Sequence, residues 1–469
     1  MACRFASALL ALRWVLPWAL LWAGAAGALT PSEELARDIL AELVAFDTAP
    51  DGETGRTRES ADRLADMLKR ARFPAEDVQV LGLTPGDGNL VARFRSPAPR
   101  RAPVLLMAHL DAVPAAPFSW ATNPLTLVEK DGYYYGRGTR DQKNGAAVLV
   151  ANFIRLKAEG FAPDRDLILL LTADEETTGA NLAWLLQEHR PLVEAGFALN
   201  TDAGFVDLAP DGRPEAFVLQ TAEKVYATFA LEAASAGGHS SMPRPDNAIY
   251  SLSRGLARLA DHRFPVALNE TTRVYFERWA ALAPPDLAAG ARALGAGRTG
   301  DPALAAITAS PYLDSLLRTT CVATQVRGGT AENSLPERAR ALVNCRILPE
   351  SSAASVQAVL QDIVGPGLVV QPTAPVVAGP ASPLDPAVLG PIESVAAGLW
   401  PGIPVLPELS PGATDGLFTR NAGIPTYGLA AIPEDPDDDR SHAPNERIRI
   451  AAFHESLEFW YRLIRQFAE

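Results

Sequence analysis

Apolar and polar positions follow two rhythms along this chain. PSEELARDILAELVAFDTAP, from Pro31, repeats its apolar residues at the helical period and carries Pro31 and Ser32 at its start, which predicts a helix. SADRLADMLKRARF, from Ser60, predicts a second. Short β-rich runs follow in VQVLG, NLVARF and APVLLMAHL, and helix and strand alternate through LILLLTA and AGFALN. That order predicts an α/β layer around a mostly parallel sheet. Around Thr221 the pattern changes. KVYATFALEAA reads as an exposed-edge strand, AIYSLSRGLARLAD as a helix, CVATQVRGG and RARALVNCRI as two strands, ASVQAVLQDIV as a helix and LVVQPT as a strand. Strand-helix-strand-strand-helix-strand is the ferredoxin-like order. An Ala- and Pro-rich helical stretch over about 272–318 lies inside it. The reading is therefore a first α/β part over 29–221, an inserted α+β domain over 222–374, and a second α/β part over 375–469 that ends in the helix AAFHESLEFWYRLIRQF.

Composition adds bounds to this picture. A chain of 469 residues with 48% hydrophobic content is long enough for two or three domains with sizeable cores. The first residues read as an address. MACRFASALLALRW carries Arg4 and Arg13 and no acid, an apolar run follows, and Ala26-Gly27-Ala28 fits a small-residue cleavage site. This predicts a secretory signal peptide over 1–28 and a secreted or periplasmic mature protein. The competing reading is a membrane anchor, which the short apolar run disfavours. No later stretch is apolar for about 18 residues, so no membrane is expected as a partner after cleavage. Cleavage removes two positive charges and makes the chain more acidic than its formal −13, which excludes nucleic acid as a partner. Cys3 leaves with the signal. Cys321 and Cys345 remain, in strands on either side of a turn-rich segment, and both a disulfide and two free thiols fit that placement. No CxxC is present, so cysteine-bound zinc is not expected.

LILLLTADEETTG, from Leu167, ends an apolar run in Asp174, Glu175 and Glu176. Like charges repel, and an unpartnered buried carboxylate is costly, so a positive charge belongs there. The same theme recurs. His109 and Asp111 stand where VLLMA stops, Asp141 lies in the glycine-punctuated turn GRGTRDQKNG, Asp202 follows AGFALN, and His442 follows TYGLAA in SHAPNE. In open α/β sheets ligands bind beyond the carboxyl ends of strands. Two histidines and several carboxylates without cysteine suit Zn²⁺ or a similar divalent ion. A carboxylate shared by two cations would make a two-metal clamp, with one of the adjacent glutamates on the metal and the other free as a base.

HLDAVP, GRGTRDQKNG, TADEETTG, NTDAG, GGHSS and SHAPNE, in this order and spacing, resemble the M20 metallopeptidase family, which includes carboxypeptidases, dipeptidases and aminoacylases. The likeness covers nearly all of the mature chain. It implies a zinc-peptidase catalytic domain with an inserted lid and two Zn²⁺ per site, with Co²⁺ or Mn²⁺ as substitutes. It implies His109 and Asp202 on one metal, Glu176 and His442 on the second, and Asp141 on both. Glu175 would be the general base, and Asp111 would orient His109. His239, in GGHSSMP, would stabilise the oxyanion, often at a partner subunit's site. Asn333, Arg346 and the Gly412–Gly416 loop would receive the substrate carboxylate, for which an Arg fork is suited.

Two departures from the family pattern stand out. Many relatives read closer to D-D-K-G where this chain has Asp141-Gln142-Lys143-Asn144, with the glycine displaced to Gly145. Ala203 stands where aminoacylases place a glutamate, which leaves Asp202 as the only carboxylate there. The expectation is a carboxypeptidase-like enzyme on short peptides or N-acyl amino acids, with a homodimer formed through the lid. An aminoacylase or other amidohydrolase is the near alternative, and a non-catalytic periplasmic metal- or solute-binding protein the distant one. The intact Glu175 argues against the last, since a binder needs no free base.

Overall fold

The computed structural model describes residues 28–50, 56–434 and 438–469; the expected signal peptide lies, Ala28 apart, outside them. A ten-stranded sheet forms the main body. Its centre is parallel: strand Val104–His109 lies between Leu167–Thr172 and Phe197–Asn200, and Thr426–Gly428 continues beyond the latter. Antiparallel strands Val78–Leu81 and Asn89–Phe94 extend one edge. On the other side, Pro214–Glu223 pairs antiparallel with Val206–Leu208 and parallel with Val405–Ser410.

The central strands are buried along their whole length, which accounts for their continuous apolar runs. Alternate residues serve the two faces. Leu106, Ala108, Leu169 and Leu171 face the helices Pro31–Ala45, Lys143–Ala158 and Ile450–Ala468, while Leu105, Met107, Ile168 and Leu170 face Ala180–Glu188. The first helix begins at Thr30, where a reciprocal capping box with Glu33 satisfies its free N–H groups. Among the described residues no helix is long and apolar enough to cross a membrane.

The inserted α+β unit has its own core around Phe229, Leu231, Val343, Leu360 and Val370. Taking Val225–Ala234, Thr320–Gly328, Arg338–Ile347 and Val369–Pro372 as its strands in chain order, the sheet runs fourth, first, third, second, so Val225–Ala234 is paired on both sides and is not the edge strand expected. All its pairings are antiparallel. Cys321 lies opposite Cys345 and the two form a disulfide, so the thiol alternative is excluded.

One segment within 222–374 packs elsewhere. Helices Glu270–Trp279, Ala288–Gly295 and Pro311–Leu317 bury Phe276, Leu294 and Leu316 against Ala216 and Leu406 of the large sheet, not against the small one. The amphipathic pattern of this stretch is satisfied by either sheet, so the sequence does not announce which one it covers.

Candidate metal centre

His109 is the last residue of the central strand, and the two neighbouring strands place acids beside it. In register, His109 stands opposite Thr172 and Met107 opposite Asn200. Glu175 and Glu176 therefore emerge on one flank of His109, and Asp202 on the other. Asp141 arrives from the turn that opens helix Lys143–Ala158.

The resulting geometry is tight. His109 Nε2 lies 3.0 Å from Asp141 Oδ1 and 3.6 Å from Asp202 Oδ1. His442 Nε2 lies 3.2 Å from Asp141 Oδ2 and 3.0 Å from Glu176 Oε2. Asp141 thus offers one oxygen to each imidazole. Ligand atoms of His109, Asp141 and Glu176, and of His109, Glu175 and Asp202, fall within 4.8 Å of one another. Asp111 sits behind: its carboxylate accepts the N–H of Glu175 at 3.1 Å and of Glu176 at 2.9 Å and lies 3.4 Å from His109 Nδ1, while its backbone carbonyl takes the hydrogen bond of that nitrogen at 3.0 Å. That fixes both the acidic turn and the imidazole ring.

The Asp141 turn is held by a residue not singled out in the sequence. Glu446, fully buried, accepts from Arg137 Nη1 at 2.6 Å and from the backbone N–H groups of Gly138, Arg140 and Asp141 at 3.1, 2.7 and 3.0 Å. Its signal was present in SHAPNE, four residues after His442. Gly145 has a steric reason: a Cβ there would lie 2.1 Å from Thr201 Oγ1 and 2.2 Å from Gln142 Oε1. The helix start is pressed against the end of the Asp202 strand, and Gln142 Oε1 caps it by accepting from Gly145 N. Lys143 turns away from the cluster and donates to the Phe46 carbonyl at 2.8 Å, and burial pushes its amine down to about 8.

Electrostatics confirm a shortage of positive charge. Burial, then the charge of Asp202, pushes Glu175 well above its ordinary value. Burial raises Asp202 to about 6 and Asp415, which accepts from Thr172 Oγ1, to about 8. Burial works against a charged His109, yet Asp202, Asp111 and Asp141 outweigh it and hold the imidazole well above its usual range. Hydrogen bonds to Asp141 and Glu176 push His442 to about 10. Among the described residues, no Lys or Arg pairs with Asp141, Glu175, Glu176 or Asp202. Two imidazoles and four carboxylates without cysteine form a donor set that divalent cations fit.

A cavity of about 830 Å³ opens over the cluster, lined by Asp141, Glu175, Glu176, Asp202 and His442, with Gly412 at its rim. Arg346 is adjacent rather than lining: its guanidinium lies over the Tyr226 ring and donates to the Pro411 carbonyl at 3.2 Å. His239 and Asn333 are exposed and do not line the cavity. They are held together on the inserted unit, where His239 pairs with Ser334 and Ser240 N donates to the Asn333 carbonyl at 3.0 Å. The acidic run from Glu434 is partly tied down: Glu434 pairs with Arg140, and Asp438 with Arg447.

Comparison with known proteins bears on the family and the fold. The model of Peptidase family M20/M25/M40 matches residues 105–466. The chain is 28% identical over 391 residues to human N-fatty-acyl-amino acid synthase/hydrolase PM20D1, covering 78% of this chain and 74% of that protein. It is 27% identical over 383 residues to a probable carboxypeptidase S-like 2 of Dictyostelium discoideum, covering 77% and 71%. The fold is similar to that of an M20 family metallo-carboxypeptidase from Sulfolobus solfataricus, with a TM-score of 0.67 at 19% identity over 92% of this chain and 99% of the other.

Proposed function

Because the chain belongs to peptidase family M20/M25/M40, a family of metal-dependent hydrolases, we propose that it is a secreted di-zinc exopeptidase of the carboxypeptidase type. Its substrates are short peptides or N-acyl amino acids with a free carboxylate. The observation that carries this reading is Asp141, whose two oxygens face His109 and His442 separately. His109 and Asp202 would hold one cation, Glu176 and His442 the other, and Asp141 both; Co²⁺ or Mn²⁺ would serve in place of Zn²⁺. Such a pair, when bound, supplies Lewis acidity that polarises an amide carbonyl and acidifies water.

The protein's own groups do the rest. Glu175 lines the cavity without an ion-pair partner among the described residues, and takes the proton of the attacking water and delivers it to the leaving nitrogen. Asp111 keeps His109 and the Glu175–Glu176 turn in place. Arg346, beside the loop that rims the cavity, receives the substrate carboxylate. His239 and Asn333, exposed on the inserted unit, belong on this reading to the cavity of a second copy of the chain. The signal-like N-terminus supports secretion or a periplasmic location. An aminoacylase preference is the near alternative, supported by the N-acyl relative.

The test is Glu175→Gln in the zinc-loaded protein, assayed on matched dipeptides and N-acyl amino acids. Metal content should stay at the wild-type level while kcat falls by about 10³-fold or more. Turnover that survives together with full metal content would show the mechanism to be wrong. The ratio of dipeptide to N-acyl turnover in the wild type decides between peptidase and aminoacylase.

A further inference from the structure

The catalytic cavity continues past the metal-centre residues to an end walled by Asp207, Glu408, Tyr275 and Tyr312. We propose that this end binds a cationic group, an ammonium or guanidinium, on the acyl portion of the substrate. The inference rests on the hydrolytic reading above and narrows it to a substrate class.

Sheet register and the helical insertion build this wall together. Asp207 stands opposite Ala216, and Glu408 opposite Gln220, on the two strands that flank Pro214–Glu223. Residues 216, 218 and 220 of that strand share one face. Val218 lines the cavity, and Ala216 packs under the helices that lie on the large sheet. Those helices bring Tyr275 and Tyr312 over the two carboxylates.

The charges there are unbalanced. Neither Asp207 nor Glu408 forms an ion pair among the described residues; Glu408 accepts from the Tyr312 hydroxyl. Burial, then the charge of Glu408, raises Asp207 to about 7, and burial also raises Glu408. Arg140 lines the same cavity but is committed to Glu434 by two bonds of 2.7 and 2.9 Å. Tyr275 is 6% exposed, and its hydroxyl has no hydrogen-bond partner among the described residues. The wall therefore offers two carboxylates and a free hydroxyl with no cation to receive them.

The chemistry then selects the ligand. A long apolar acyl chain would desolvate both carboxylates without compensation. The carboxylate of the leaving amino acid would be repelled by them, so the acyl side must occupy this end. A protonated amine satisfies Asp207, Glu408 and the Tyr275 oxygen at once.

Calorimetry on the full-length, zinc-loaded Glu175→Gln protein tests this with N-(ω-aminohexanoyl)phenylalanine and N-hexanoylphenylalanine. The amino ligand should bind at least about tenfold more tightly, as charge-assisted hydrogen bonds allow. Adding Asp207→Asn or Glu408→Gln should cut that ratio to about threefold or less. Should either variant fail to fold, Tyr275→Phe removes only the free hydroxyl and should lower the same ratio. A ratio of one or less, or one that none of the folded variants lowers, overturns the proposal. Selective binding in this protein, with no cleavage of either ligand by the wild type, would count against the hydrolytic reading and leave the cationic subsite standing.

Discussion

Glu446 shows how one side chain can organise a site it does not enter. Its carboxylate gathers three backbone N–H groups of the Asp141 turn and the buried Arg137 guanidinium. Glu446→Gln keeps the shape but removes the charge, leaving Arg137 buried and unpaired. We expect a stability loss of about 3–5 kcal/mol in urea unfolding, as for a broken buried pair. Zinc affinity in a chelator competition should fall by about 10–100-fold, the usual cost of losing a group that positions ligands. At this scale the sequence is legible where chemistry coincides with a break in pattern. His109, Glu175, Glu176 and Asp202 each stand where an apolar run stops, and a misplaced charge is visible in one dimension. Glu446 lies inside SHAPNE without standing out, because a carboxylate that binds backbone N–H groups leaves no periodic trace. Asp207, Glu408, Tyr275 and Tyr312 come from four elements, and only strand register and helix packing bring them together.

Elements carry the next layer. The start of helix Lys143–Ala158 is set by the absence of a side chain at Gly145, against Thr201 and Gln142. Gly145→Ala must push the helix off the Asp202 strand. A stability loss of about 1–3 kcal/mol is expected, as for other overpacked sites. Its signature would be a drop in kcat/KM larger than the shift in Tm suggests, because Asp141 moves with the helix. The disulfide Cys321–Cys345 ties an edge strand, exposed over most of its length, to the centre of the small sheet, with a sequence separation of 24. Cys321→Ser with Cys345→Ser should cost about 3 kcal/mol, from the loop entropy regained by the unfolded chain. Differential scanning calorimetry should place that loss in the inserted unit. The ferredoxin-like order of that unit is readable because its strands and helices alternate cleanly. The destination of helices 270–317 is not, since an amphipathic helix fits either sheet.

For the molecule as a whole, crowded acids make stability depend on pH. Asp202, Asp207 and Asp415 are held at about 6, 7 and 8 in the folded state, chiefly by burial. An unfolded aspartate titrates near ~3.9. Between those limits the folded chain binds more protons than the unfolded one, so stability falls as pH rises. His442, raised to about 10, acts in the same direction above the ~6.5 of an unfolded histidine. The metal-free protein should therefore lose stability steadily from about pH 5 to about pH 8 in denaturant titrations. Saturating zinc should flatten or reverse that slope, because the ligands bind it in their deprotonated forms.

His442 and Glu446 stand close to the end of a long chain, yet they clasp groups laid down some three hundred positions earlier. No short stretch of the chain can therefore assemble this cluster by itself. The loop that must close to bring the two segments together costs entropy that grows only slowly with its length. Cation binding thus reports whether the two parts of the large sheet are docked, and should disappear when they separate.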